Sequence, residues 1–206
     1  MPSAALKRRA LHIIFALSMA GFVAGVLPAR AEAAYIGWFD YARNNSNING
    51  TLTWKYTVND NPPVYSVSWR AGSGSYPSDR KQTGSQSGGW LPSGWYSIRG
   101  HWNDYNGSAI FGRVWYLSDK VNSFGETRTS LFIHTEETPS NDQYNPTSGD
   151  DPQCWEGAND YYSHGCVKVA YGSNMNDVHW YWYYRGGSTS HGSGSPYPLS
   201  YMVNVH

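Results

Sequence analysis

Gly50-Thr51-Leu52-Thr53-Trp54-Lys55-Tyr56-Thr57-Val58, then Asn59-Asp60-Asn61-Pro62-Pro63, then Val64-Tyr65-Ser66-Val67-Ser68-Trp69 is the stretch that decides the fold class. Apolar and polar residues alternate through both outer runs, the period of a half-buried strand. Asn, Asp and Pro between them are turn residues, so the two runs read as a hairpin. Upstream, Tyr35-Ile36-Gly37-Trp38-Phe39 is another short run, followed by the loop Asn44-Asn45-Ser46-Asn47. Downstream, residues 71–90 are mostly Gly, Ser and polar groups, a loop. Trp95 to Arg99, Arg113 to Leu117 and Thr129 to Ile133 read as further strands. No helical period is convincing before residue 170. Asn176 to Tyr184 is expected as a short helix stopped by Gly186-Gly187, Gly186 to Pro196 as a loop, and Leu199 to Val205 as a closing strand. The chain therefore reads as mainly β, one domain over residues 35–206, with a short C-terminal helix.

Residues 1–31 have the pattern of a signal peptide. Lys7-Arg8-Arg9 supplies a positive start, Leu11 to Leu27 an apolar stretch, and Ala29-Arg30-Ala31 a small-x-small cleavage site, with Ala31-Glu32-Ala33 competing. The apolar stretch is near the minimum for a membrane anchor, but Gly21, Gly25 and Pro28 favour cleavage. The expectation is a secreted, extracytoplasmic protein without stable membrane insertion. Removal of this segment leaves a net charge near −4 and no basic run, which argues against nucleic acid as a partner.

The chemistry is concentrated in Tyr162-Ser163-His164-Gly165-Cys166-Val167-Lys168, with a second imidazole, His134, closing the apolar run Leu131-Phe132-Ile133. A thiol becomes a strong nucleophile when a base takes its proton, and an imidazole titrates where it can do so. Gly165 lets the backbone approach a reacting carbonyl. His101, His179, His191 and His206 show no metal-ligand spacing, and neither a metal nor another cofactor is expected.

The order His…Ser-His-Gly-Cys resembles the catalytic signature of the L,D-transpeptidases, the YkuD-type cell-wall enzymes. Leu91-Pro92-Ser93-Gly94-Trp95-Tyr96-Ser97-Ile98 and Arg128-Thr129-Ser130-Leu131-Phe132-Ile133-His134 look like two further segments of that family. The resemblance implies a β-sandwich catalytic domain, with Cys166 as nucleophile and His134 as base. It makes the carbonyl of Thr135 the orienter of the His134 ring. Backbone N–H groups around Gly165 and Cys166 would form an oxyanion hole, with His164 beside it and Ser163 making a local hydrogen bond. The implied substrate is a peptidoglycan stem peptide, cross-linked or trimmed through a thioacyl-enzyme. Two features depart from the family. The connection from His134 to Ser163, 28 residues (135–162), is longer than usual, and Lys168 stands where Asn or Arg is common.

Several residues keep a second reading. Two cysteines in an exported chain usually mean a disulfide, here Cys154 with Cys166, whereas the motif around Cys166 favours a free nucleophile. Arg128 would pair with a substrate carboxylate or simply cover apolar surface. The loop carries Glu136, Glu137, Asp142, Asp150, Asp151, Glu156 and Asp160. It reads as a lid that attracts an amine-bearing acceptor or as a solvated acidic insertion. With ten tryptophans and seventeen tyrosines, a non-catalytic cell-wall or carbohydrate binding module is the competing class.

Overall fold

The hairpin read from residues 50–69 forms one wall of a closed sheet. The computed structural model describes residues 35–59, 61–76, 78, 88–144, 150–187 and 202–206. The expected signal peptide lies outside these residues, as does most of the Ser/Gly run after Gly187. Strand β1 (Tyr35–Ala42) pairs with β2 (Gly50–Val58), and β2 with β3 (Asn61–Ser73), all antiparallel. The turn is tighter than the run of five turn residues suggests, because Val58 already pairs with Asn61 and Asn59 takes a left-handed φ of 54°. Pro62 and Pro63 sit inside β3, at the irregularity between the Tyr56 and Val58 pairs. Among the described residues that end of β3 has no second neighbour, since β9 (Val167–Val169) reaches only Ala71 to Ser73. A missing N–H there costs no ladder bond.

The chain continues through β4 (Gly94–Asn106), β5 (Phe111–Leu117), a small hairpin of β6 (Lys120–Val121) and β7 (Thr127–Arg128), and β8 (Phe132–His134). After β9 come helix α1 (Ser173–Trp182) and β10 (Met202–Val205). The order around the sheet is β1-β10-β4-β5-β8-β9-β3-β2, and it closes. The expected two-layer sandwich is therefore replaced by an eight-stranded barrel. Closure comes from β10, which lies parallel to β1 through Phe39↔Val203 and antiparallel to β4 through Val203↔Tyr96. The strand carrying His134 also starts later than expected: Ser130 has a φ of 54°, which ends extended backbone before Phe132.

Eight strands leave an interior just wide enough for side chains, and this one is filled with rings. Phe39, Tyr41, Trp54, Tyr96, Trp115 and Trp182 are all fully buried. Phe39 meets Trp54 at 4.7 Å and Trp115 at 5.7 Å between ring centres, edge to face, the arrangement that ring quadrupoles favour. Helix α1 plugs the barrel with Met175, Val178 and Trp182. Its far end is fastened where Trp54 Nε1 donates to the Arg185 carbonyl at 3.1 Å. Part of the aromatic complement is thus spent on the core, while Tyr65, Trp95, Tyr162, Trp180 and Tyr184 stay exposed.

Period-two alternation gives the wall β5-β8-β9 two apolar faces. Trp115, Leu117, Ile133, Val167 and Val169 point into the barrel core. Their neighbours Val114, Phe132 and Cys166 form a separate buried cluster with Trp102, Tyr105, Ile110 and Tyr116. Residues 132, 134, 166 and 168 share that outer parity. The candidate site lies on this outer face.

Candidate active site

Parallel pairing sets Ile133 against Val167 and His134 against Lys168. By register, Phe132 falls beside Cys166, and His134 and Cys166 lie diagonally across the two strands on one face. Both line a cavity of about 590 Å³. Tyr105, Ile110 and Phe132 form an apolar flank; Asp150, Tyr162 and His164 stand on a polar one.

The imidazole of His134 is buried, and its Nδ1 lies 2.9 Å from the Thr135 carbonyl oxygen. A carbonyl only accepts, so Nδ1 carries the hydrogen and Nε2 keeps its lone pair. Burial depresses the pKa of this ring to about 4; the Thr135 bond opposes that, the Lys168 ammonium reinforces it, and the Asp160 carboxylate opposes it. The Cys166 thiol is buried as well. Burial pushes it up to about 11, against the opposing pull of the Phe132 backbone and the Arg128 guanidinium. Its S–H points to the Ser130 carbonyl, with 3.7 Å between sulfur and oxygen. Both shifts favour a neutral thiol beside a neutral imidazole at neutral pH over a preformed ion pair. Proton transfer must then accompany attack on a bound carbonyl.

The turn before Cys166 is built around two groups. Ser163 Oγ donates to the Cys166 carbonyl at 2.7 Å and accepts from Gly74 N at 2.9 Å and Gly165 N at 3.1 Å. This is the local bonding expected for Ser163, and it commits the Gly165 N–H. Of the two amides expected around an oxyanion, only that of Cys166 escapes Ser163.

The second group is Arg128, which is 1% exposed. It donates to the carbonyls of His164 at 3.0 Å, Trp90 at 3.2 Å and Gly89 at 3.4 Å. Its fork is turned onto the backbone of the site, and the residue also lines the cavity. His164 is exposed at the cavity rim and contributes its carbonyl to this anchor. Cys154 and Cys166 are both free thiols, so the disulfide alternative is not formed in this structure.

The long loop is not the uniformly solvated acidic segment that its composition suggests. Glu137 is fully buried: its Oε1 accepts from Arg113 N at 2.7 Å and Nε at 3.1 Å, and its Oε2 from Nη2 at 2.7 Å. Arg113 also reaches Asn176 on α1 at 2.6 Å, tying barrel, loop and helix together. Glu136 and Asp160 flank the Lys168 ammonium. Asp142, Asp150 and Glu156 are exposed. Sequence reading missed the link between Lys168, Glu136 and Asp160. Strand parity was the available signal, since residue 136 follows 134 on the same side.

No protein-family model matches this chain, and no curated protein is similar to it.

Proposed function

We propose that the protein is a cysteine acyltransferase acting on peptidoglycan stem peptides, an L,D-transpeptidase or L,D-carboxypeptidase, exported to the cell wall after loss of residues 1–31. The observation that carries this reading is the shared outer face of β8 and β9. There, Cys166 and a His134 ring with its Nδ1 on the Thr135 carbonyl open onto one cavity. A nucleophile, a base within the same pocket and an orienter for that base are the parts of nucleophilic acyl transfer.

In the first half-reaction the Cys166 sulfur attacks the carbonyl carbon of the L-centre of a diamino acid in the stem. Its proton passes to His134 Nε2 and from there to the leaving amine, so that the C–N bond breaks and D-alanine departs. The tetrahedral oxyanion is held by the Cys166 N–H, with the buried Arg128 charge behind that turn. In the second half-reaction an amine of another stem, or water, attacks the thioester. His134 takes the attacking group's proton and returns it to sulfur as the C–S bond breaks. Nothing in this scheme calls for a cofactor.

Intact-mass spectrometry after incubation with a tetrapeptide stem is the direct test. The expected result is a thioacyl adduct on the wild type, absent from Cys166→Ala, together with released D-alanine. A wild-type protein that binds insoluble peptidoglycan but never gains mass would favour the binding-module class.

A further inference from the structure

Lys168 is 2% exposed, yet its Nζ is set between two carboxyl groups. It lies beside His134 in the β8–β9 register. Its Nζ donates to Asp160 Oδ1 at 2.6 Å and to Glu136 Oε1, and it stands 5.3 Å from the centre of the Trp155 ring. A single charge thus joins β9, the run beyond β8 and two separate points of the 135–162 loop. Removing one partner from a buried pair leaves the other charge uncompensated, which is far more costly than losing a surface pair.

We propose that Lys168 and Asp160 form a positioning pair that fixes the long loop against the outer face of β8–β9 and sets the electrostatic surroundings of the His134 ring. This extends the acyltransferase reading, because it names the charges that bear on the base of that reaction beside the burial that chiefly favours its neutral form. The two partners act on His134 with opposite sign. The ammonium disfavours the imidazolium and the carboxylate favours it. The ionisable groups around the ring are Lys168 next to it on β9, Cys166 on the same face, Asp160 from the loop and Glu136 from its own run. Glu136 does not offset the pair at neutral pH: burial and the neighbouring Asp160 outweigh Lys168 and push its carboxyl up to about 9, while Asp160 is held down to about 2. The directions of these two shifts favour the charge on Asp160 over Glu136.

The test is a pH titration of the His134 ring by NMR of histidine-labelled protein, assigned by difference with His134→Ala. Lys168→Met is expected to move the midpoint up from about 4. Asp160→Asn is expected to move it down, and Lys168→Arg to leave it near the wild type. A purely structural link would perturb the ring in the same direction whichever partner is lost. In the rate profile, the acid limb of kcat/KM should follow the ring, giving about a tenfold loss for each pH unit below its new midpoint and recovery above it. An unmoved midpoint in both neutralised variants, shifts of the same sign, or failure of arginine to substitute for Lys168 would each overturn the proposal. Should Lys168→Met not fold, Asp160→Asn and Lys168→Arg decide it. The titration needs no substrate, so it stands even if the wild type forms no thioacyl adduct, an outcome that would count against the acyltransferase reading alone.

Discussion

Gly165 and Arg128 exclude each other's side chains: a Cβ on residue 165 would overlap the Arg128 guanidinium, and Gly165 holds a φ of 117°. The glycine of the Ser-His-Gly-Cys segment is therefore required by a charge some forty positions away, not only by the closeness of a substrate. Gly165→Ala is expected to lose stability on the order of 1–3 kcal/mol from backbone strain alone, with displacement of Arg128 added to it. Denaturant unfolding, alongside the rate of thiol modification, checks this. Wild-type stability would show that the turn relaxes freely around a methyl group.

The two thiols should separate cleanly in function. Cys166→Ala is expected to abolish D-alanine release, and Cys154→Ala to leave most of it, because Cys154 lies on the loop while Cys166 lines the cavity with His134. His134→Ala should lower the acylation rate by about 10²–10⁴-fold, the usual scale for a general base. If that variant acylates at a near-normal rate, the base is His164 at the rim.

The pH dependence of Cys166 follows from its burial. The folded thiol sits near 11, above its ordinary 9, so alkylation by a small neutral reagent should rise about tenfold per pH unit through the neutral range. No plateau is expected near pH 7. For a group raised in the folded state, its contribution to stability is complete below the unfolded value near 9 and declines as the pH climbs towards 11. A neutral plateau in alkylation would mean a preformed thiolate–imidazolium pair.

Replacing Thr138 to Gly157 by a short Gly/Ser connector should leave Cys166 reactive towards that reagent but weaken turnover of the stem peptide. Loop closure entropy changes only slowly with length, and the buried Glu136 and Glu137 and the half-buried Asp160 are retained outside the deleted stretch. The deleted stretch carries Asp142, Asp150, Asp151 and Glu156, charges positioned to concentrate a cationic acceptor, an effect that salt screens. The ratio of cross-linked to hydrolysed product, measured at low and high ionic strength, is the deciding quantity. An unchanged ratio and unchanged salt response would make this part of the loop a spectator.

Local pattern carried the strands well, because alternation in Leu52-Thr53-Trp54-Lys55 and its neighbours is a property of adjacent residues. It also carried α1, found over Ser173–Trp182 with Asn176–Trp182 inside the expected span. Closure into a barrel was not legible, because it depends on Phe39 meeting Val203 across most of the chain, and no local period records such a contact. The site segments were visible as residue types. Their alliances were not: Arg128 reads like any strand arginine until the Trp90 and His164 carbonyls are seen around it. Glu136 and Glu137 read as loop charges, yet each is buried on a different cation, Lys168 and Arg113. Burial of an acid depends on which base the fold brings to it, and that base lies 32 positions away in one case and 24 in the other.

That β10 is the strand which closes the barrel has a consequence for assembly. Until Met202–Val205 insert, β1 and β4 each present an unpaired edge, with ladder groups that any extended segment can satisfy. The ladder that seals them joins residues far apart in sequence, the kind of contact that slows folding. During that interval the same short segment from a neighbouring copy would fit the gap as well as the chain's own. Crowding of unsealed barrels thus favours exchange of β10 between molecules, since a chain lacking that strand leaves the edges of β1 and β4 open.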